Sequence, residues 1–491
     1  MLSAHDVRPD IAFGPMWRKW APFLAMVLVR ARFLVSPMSI DEGGYLAVAR
    51  AWFHGADLYG KVWVDRPQGL LVLYGLLDRT GLGNTFGIRL LGMAACAVAM
   101  WACGAAAALM FGDRARVPVL WATGIALSLP QIEGFSANAE ILSCAVAAAG
   151  LAFALRGTWR RDVPDTRMLF FAGLAAGAAL TVKQSGFDAT VAAAVAVLLS
   201  ASRGGWGVRR LARAVGAASL GAAVPTGLML AHAAFTGFGD WWWAVAGVRL
   251  ELKSALAPAD YAKLRETAGI TVPIIAAAVL VAVVLLARNM RRHRDAVVVL
   301  AVWSIAALGA FWTGGLFHRH YWTILMFPLA VATGAALSFL SGRTAVAVTA
   351  AVLVVPAVST ARGISMDDAK VAEVLHADGR LVRNEVSAAW IRANVPAADR
   401  VWVMCASSSL YAEARRDPPV RYLWFAYYRA VPEALDEARA LLTGPARAEW
   451  VVQVQDPATC DPSGALAGLL ERGYEPVGSA TGWPVWHRLP G

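Results

Sequence analysis

Five short stretches of this sequence place carboxylates, cations and histidines beside aromatic residues. They are Ser39-Ile-Asp41-Glu42-Gly-Gly-Tyr45, Trp63-Val-Asp65-Arg66-Pro67-Gln-Gly69, Glu133-Gly-Phe-Ser-Ala-Asn138-Ala-Glu140, Thr181-Val-Lys183-Gln-Ser-Gly186 and Phe317-His318-Arg319-His320-Tyr321-Trp322. A carboxylate can take the proton of a hydroxyl while cations receive an anionic leaving group, so together these residue types suit group transfer. Each stretch alone also has a structural explanation. Ser39-x-x-Glu42 matches a capping box, which uses Glu42 and leaves Asp41 free. Asp65-Arg66-Pro67 reads as a solvated turn with a local salt bridge, Glu140 as the start of a helix, and Lys183 as a snorkelling helix end. His318 and His320 lack a matched third ligand for zinc and read as interfacial anchors. The functional reading rests on convergence: these groups fall in connections that share one side of a membrane.

That membrane follows from composition. Of 491 residues, 58% are hydrophobic and only 16% charged, too apolar a balance for a soluble chain of this size. Runs of roughly 20 apolar residues predict about eleven spans. They lie near 20–38, 87–110, 117–130, 139–156, 168–182, 185–201, 214–236, 269–287, 296–314, 323–340 and 345–361. The formal net charge of +11 resides mostly in short Arg-rich tracts between apolar runs, a positive-inside pattern that excludes a nucleic-acid partner. Those tracts, at 18–19, 114–116, 156–167, 203–213, 288–294 and 343, are expected to be cytoplasmic. Residues 1–19 then form a cytoplasmic tail, the first span is a retained anchor, and the connections 39–86, 131–138, 183–184, 237–268 and 315–322 face outward. Arg30 and Arg32 within the first span must face protein or snorkel. In the first outer loop, apolar residues at Tyr45, Val48/Ala49 and Trp52/Phe53 predict a helix lying flat in the interface.

Beyond residue 362 the texture changes to charged helical stretches (367–394, 432–443, 464–472) alternating with β-branched and aromatic runs (400–404, 420–424, 450–454, 484–488). This predicts a small extracytoplasmic α/β domain over 362–491, following a membrane module over 20–361. Its aromatic run Tyr422–Tyr428 either stacks on sugars or serves as core or as a docking surface against the membrane part. Cys96, Cys103 and Cys144 fall in apolar runs as small hydrophobes, whereas Cys405 and Cys460 leave both a bridge and two free thiols open.

A free carboxylate among cations at a membrane surface suits an amphipathic substrate with a phosphate head, such as a polyprenyl-phosphate sugar. The carboxylate would deprotonate the acceptor hydroxyl, and cations would replace the general acid of glycosidases because phosphate leaves as an anion. Taken in order, the five stretches resemble the GT-C superfamily of membrane glycosyltransferases. The likeness is to the bacterial family-39-like branch, similar to protein O-mannosyltransferases and the aminoarabinose transferase of lipid A, and it covers about 20–361. The trailing α/β domain looks like that of actinobacterial members.

The resemblance implies a polytopic helical fold and an enzyme that uses a polyprenyl-phosphate sugar donor. The acceptor would be an extracytoplasmic glycan, lipid or protein, and membrane lipids surround the chain. It assigns Asp41 as base, Glu42, Asp65 and Glu140 as catalytic or structural support, and Arg66, Lys183, Arg319 and His320 as donor-phosphate contacts. Arg66-Pro67 matches the Lys-Pro dipeptide of the aminoarabinose branch only by type. No MIR-like β-trefoil insertion or Pro-Pro-Leu-Gly-Lys run is present in the sequence. Metal use varies across GT-C enzymes, so no divalent metal or other cofactor is assigned. The competing reading is a transporter or flippase of lipid-linked sugars, for which pseudo-symmetric halves and charges near the midplane are the expected marks.

Overall fold

The computed structural model describes residues 17–405, 407–477 and 482–490, apart from the side chains of 253–258. The expected tail over 1–19 therefore lies, up to residue 16, outside the described residues. A helical bundle comes first, and every expected span coincides with a helix of it. The first is α1 (Trp17–Ala31), followed by α2 (Ile40–Phe53) and α3 (Gln68–Arg79) in the first long connection. Next come α4 (Thr85–Phe111), α5 (Arg116–Ala126), α6 (Ala139–Thr158), α7 (Thr166–Val182), α8 (Asp188–Arg203) and α9 (Val208–Thr236). The short α10 (Phe238–Trp242) leads through a π-turn into α11 (Val248–Arg288), and α12 (Arg294–Thr313), α13 (Trp322–Leu337) and α14 (Gly342–Ser365) complete the bundle.

Seven of these helices are long and apolar enough to cross a membrane by length and composition. The expected spans at 20–38, 117–130, 168–182 and 185–201 are helices of 15, 11, 17 and 16 residues, short of a full crossing. Conversely, the connection expected over 237–268 is itself largely helical, because α11 begins at Val248 and runs 41 residues.

Small residues set the closest helix approaches, as expected where packing rather than hydrophobicity joins helices. A Cβ at Gly173 or Gly221 would run into the facing backbone of α9 or α7. Arg30 is buried and points its guanidinium at the carbonyls of Leu127 (3.1 Å) and Phe135 (3.2 Å), which satisfies a charge the first span could not otherwise carry. Arg32 reaches the Met366 carbonyl at 2.6 Å and Asp368 at 3.2 Å. The Arg-rich connections gather at one end of the bundle, where Arg203 pairs with Asp295 (2.5 Å) and Arg210 donates to the Asp162 carbonyl (3.3 Å).

At the other end sits the C-terminal region. After α15 (Asp368–Lys370) and a π-turn, α16 (Arg380–Asn394) leads to strand β1 (Val401–Met404), then α17 (Ser409–Ala414), α18 (Phe425–Ala430), α19 (Pro432–Thr443), β2 (Trp450–Gln453), α20 (Ala465–Gly473), β3 (Tyr474–Pro476) and β4 (Val485–Arg488). The sheet order is β1-β2-β4-β3, with β1 and β2 parallel (Val401 opposite Trp450) and the other pairs antiparallel (Val452 opposite Val485, Tyr474 opposite Arg488). β1 is buried along its whole length, which suits its Val-Trp-Val-Met run. The run at 420–424 is not a strand. Its Tyr422 and Trp424 turn instead toward the bundle, and Tyr422 packs 5.2 Å from Trp63. Cys405 and Cys460 form a disulfide that ties the end of β1 to the 457–460 turn.

The C-terminal region seats on α2. The Ser408 hydroxyl donates to the Ile40 carbonyl (2.7 Å), and Arg50 donates to the Ala412 carbonyl (3.2 Å). Residues 42–51 of α2 are all buried, so the helix runs beneath the C-terminal region and leaves only its ends, Trp52 and Phe53 among them, partly exposed. Gly43 and Gly44 permit the approach, since a Cβ on either would overlap Ser409 or the Trp424 ring. Gly43→Val should therefore lever α17 off α2 at a loss of about 1–3 kcal/mol. The check is the thermal midpoint of the detergent-solubilised protein, and an unchanged midpoint would contradict this contact.

Candidate functional site

The N-terminus of α2 shows how local folding divides two adjacent carboxylates. Ser39 caps the helix, accepting from the Glu42 amide at 3.2 Å while the Glu42 carboxylate accepts from the Ser39 amide at 3.2 Å. Glu42 also accepts from the Ala137 amide (2.9 Å) and pairs with Arg89 of α4 (2.9 Å), all of it out of contact with solvent. It is thus a structural anchor joining three segments. Asp41 takes no part in that network and turns into a cavity of about 500 Å³.

Around this cavity the fold collects residues from distant segments. Asp65 and Arg66 come from the loop before α3, Glu133 from the loop before α6, Arg249 from α11, Arg319 and His320 from the turn before α13, and Trp424 and Tyr427 from the C-terminal region. The 54–67 loop is held by the Tyr59 hydroxyl, which donates to the Arg66 carbonyl (2.8 Å), and by the Gln184 amide, which donates to the Asp65 carbonyl (3.1 Å). The Asp65-Arg66 pair is a buried ion pair at 2.7 Å, not the solvated turn expected, because Arg249 closes on the other Asp65 oxygen at 2.5 Å and covers it.

On the opposite wall, Glu133 bridges two histidines, His320 Nδ1 at 2.8 Å and His376 Nδ1 at 3.0 Å. The second nitrogen of His320 lies 3.6 Å from Asp41 Oδ2 and 3.8 Å from Glu140. His320 is buried and held by a carboxylate, so the interfacial anchor expected for it is incorrect. Glu140 and Lys183 pair with each other directly behind the cavity, and the Lys183 ammonium lies 4.3 Å from the Tyr321 ring centroid. They border the cluster without lining the cavity. Arg319 lines it and pairs with Glu266 at 3.2 Å.

The electrostatics separate these carboxylates. Burial would raise Asp65, but Arg249 and Arg66 overcome it and hold the group below the usual carboxylate range. Burial is likewise outweighed at Glu133 by hydrogen bonds from His320 and His376, which hold it well below that range. Asp41 differs: burial raises it, and His320, Arg66 and the Trp424 hydrogen bond only partly offset the effect. The one carboxyl facing the cavity with a raised proton affinity therefore stands beside carboxylates locked in the ionised form. Arg66 and Arg249 each keep a buried Nε without a partner among the described residues. Those Nε atoms are buried away from the cavity, as are those of Arg30 and Arg89; what suits an anionic oxygen ligand is that both cations line the cavity. No group of three His, Cys, Asp or Glu side chains with metal-ligand geometry occurs among the described residues.

Arg249, His376, Trp424 and Tyr427 were not singled out as site residues by their sequence context. Arg249 carries no motif and sits in a stretch read as a plain connection. His376 reaches Glu133 from 243 positions away, a separation no local pattern reveals. Trp424 and Tyr427 belong to the aromatic run whose readings were sugar stacking, core and docking, and none of them anticipated hydrogen bonds to carboxylates.

No family model and no curated protein matches the sequence. Solved structures do share the fold. ArnT from Cupriavidus metallidurans, bound to undecaprenyl phosphate, superposes with a TM-score of 0.62 at 16% identity, covering 96% of this chain and 98% of that one. The archaeal oligosaccharyltransferase AglB from Archaeoglobus fulgidus, in complex with an inhibitory peptide and a dolichol-phosphate, superposes with a TM-score of 0.56 at 12% identity, covering 96% of this chain and 74% of that one. The chain thus shares the fold of those structures, here a polytopic helical bundle followed by a small α/β region.

Two outcomes follow from these contacts. Glu42→Ala leaves Arg89 as an unpaired buried cation and should destabilise the fold by about 3–5 kcal/mol; a thermal midpoint within error of wild type would contradict the anchor. Glu133 has a depressed folded pKa, so the stability from its ionised form is complete above the ordinary glutamate value of about 4.3 and is lost as pH falls through the depressed value. Thermal midpoints of wild type and Glu133→Gln should be well separated near neutrality and converge on acidification, and a pH-independent gap would count against the two-histidine bridge.

Proposed function

We propose that this chain is a membrane glycosyltransferase that moves a sugar from a polyprenyl-phosphate donor to an extracytoplasmic acceptor, a cell-envelope glycan, lipid or protein, with inversion at the anomeric carbon. The observation that carries the reading is the presence in one cavity of the Asp41 carboxyl, whose Oδ2 has no cation closer than His320 at 3.6 Å, together with the guanidiniums of Arg66 and Arg249. Support comes from the shared fold with ArnT, whose solved structure holds undecaprenyl phosphate, and with AglB, whose structure holds a dolichol-phosphate.

In this mechanism the donor phosphate lies against Arg66 and Arg249, with Arg319 and His320 at the edge of the same cavity. Asp41 accepts the proton of the acceptor hydroxyl as its oxygen forms the bond to the anomeric carbon from the face opposite the phosphate. The bond from the anomeric carbon to the phosphate oxygen breaks, and the cations stabilise the departing anion without a general acid. Asp65 keeps Arg66 and Arg249 in place. Glu140 and Lys183 act from behind as mutual support, and Glu42 acts only through the fold.

The orientation belongs to the same proposal. The Arg-rich connections gather at the end opposite the site, which suits a cytoplasmic N-terminal tail over 1–19 and a catalytic module over 20–361 in the plasma membrane with its site outward. The Cys405–Cys460 disulfide suits an oxidising compartment for the domain over 362–491.

Purified protein should consume one member of a panel of polyprenyl-phosphate sugars, and Asp41→Asn should slow transfer by about 10²–10⁴-fold while donor binding persists. Wild-type rates from Asp41→Asn would remove the base, and lipid-linked sugar crossing vesicles without transfer would make the chain a flippase. Arg249→Gln should slow transfer by about 10²–10³-fold. The acid limb of the wild-type rate profile should lie above the ordinary aspartate value of about 3.9, because the base must be ionised and burial raises it.

A further inference from the structure

The residue nearest to Asp41 comes from the C-terminal region. The Trp424 indole N–H donates to Asp41 Oδ1 at 2.9 Å, across 383 positions of sequence. The other carboxylate oxygen, Oδ2, faces His320 at 3.6 Å. The indole is fixed on several sides. Its six-membered ring abuts Gly44, where any Cβ would overlap it, its centroid lies 5.8 Å from that of Tyr45, and Tyr427 stands edge-on at 6.2 Å. Three further contacts lock the C-terminal region against the same helix and loop: Ser408 to the Ile40 carbonyl, Arg50 to the Ala412 carbonyl, and Trp63 against Tyr422 and Tyr427. Tyr427 also acts with Arg249 and Arg66 to lower the proton affinity of Asp65.

A tryptophan with only a packing role would not need its one polar atom aimed at a partly buried carboxylate. Nor would α2 need two successive glycines at the point of contact.

We propose that Trp424 is a positioning residue for Asp41, so that the catalytic site is completed by the C-terminal region and is a composite of the two parts of the chain. Its N–H holds Oδ1, selects one rotamer of the carboxylate and leaves Oδ2 as the oxygen that meets the acceptor hydroxyl. As a donor to the ionised form it also lowers the proton affinity that burial raises. The groups coupled to Asp41 include His320 before α13, Arg66 before α3, Glu133 before α6, Tyr45 of α2 and Tyr74 of α3, and among the described residues Trp424 donates the hydrogen bond to its side chain. The inference rests on the assignment of Asp41 as base.

The test is Trp424→Phe in the full-length protein, which keeps a ring against Gly44 and deletes the N–H. Expected are a fall in kcat of about ten- to a hundredfold, an unchanged KM for the polyprenyl-phosphate sugar, and an acid limb of the kcat profile moved to higher pH, so that raising the pH restores part of the rate. Trp424→Gln restores an N–H donor and should return the acid limb toward wild type; it also serves as the readout should Trp424→Phe fail to fold. A purely structural tryptophan would lower the yield of folded protein in both variants and leave the limb of the surviving fraction in place. Wild-type kcat and acid limb in Trp424→Phe, with Asp41→Asn inactive, would overturn the positioning role alone. An active Asp41→Asn would overturn the assignment of the base on which it rests.

Discussion

The buried contact between Glu42 and Arg89 is the constraint from which the rest of the site is hung. Both side chains are almost wholly removed from solvent, and such a pair is tolerated where most of the remaining lone pairs and protons are also satisfied, as they are here but for Arg89 Nε. Here the amides of Ser39 and Ala137 complete the carboxylate, while the Ser136 hydroxyl and the Pro37 carbonyl accept from Arg89. One ion pair thus fixes the start of α2, the entry to α6 and the first turns of α4 relative to each other. Because Asp41 precedes Glu42 on the same helical turn, its position is dictated by a network in which it takes no part.

From that anchor the charges are arranged in order of their freedom. Glu140 and Lys183 neutralise each other behind the cavity. Asp65 is spent on two arginines, and Glu133 on two histidines. Each of these carboxylates is locked in the ionised form by its partners or shielded behind them. Asp41 meets the cavity with Oδ2, an oxygen whose nearest cation, His320, stands 3.6 Å away. The cations are anchored as a pair, since Arg66 and Arg249 are both held through Asp65 and both line the cavity. Transfer of a group away from an anionic leaving group calls on both kinds of residue, a base able to take a proton and cations fixed in place to receive the anion.

Much of this was legible in the residues. The apolar runs located the helices of the bundle, and the capping-box spacing correctly divided Glu42 from Asp41. The β-branched runs at 400–404, 450–454 and 484–488 became β1, β2 and β4. What local pattern could not supply were contacts set by chain folding. α2 was expected to lie flat in the membrane interface, and its aromatic spacing cannot reveal that α17 covers it. His320 was read as an anchor because the carboxylate that holds it lies 187 positions away, and Trp424 as a sugar-stacking or packing aromatic because its partner lies 383 away. Glu140 and Lys183 were expected in the cavity as separate functional groups. The fold instead brings them close enough to satisfy each other, which sequence distance conceals.

The central claim is that the leaving phosphate sits on Arg66 and Arg249 with Asp41 across from it. A cryo-EM structure of the protein in nanodiscs with a bound polyprenyl phosphate examines this most directly. The account predicts phosphate density within hydrogen-bonding reach of the Arg66 and Arg249 guanidiniums, with Asp41 facing it across the cavity and still held by Trp424. Phosphate density elsewhere, with both guanidiniums unchanged and unliganded at saturating lipid, would contradict it.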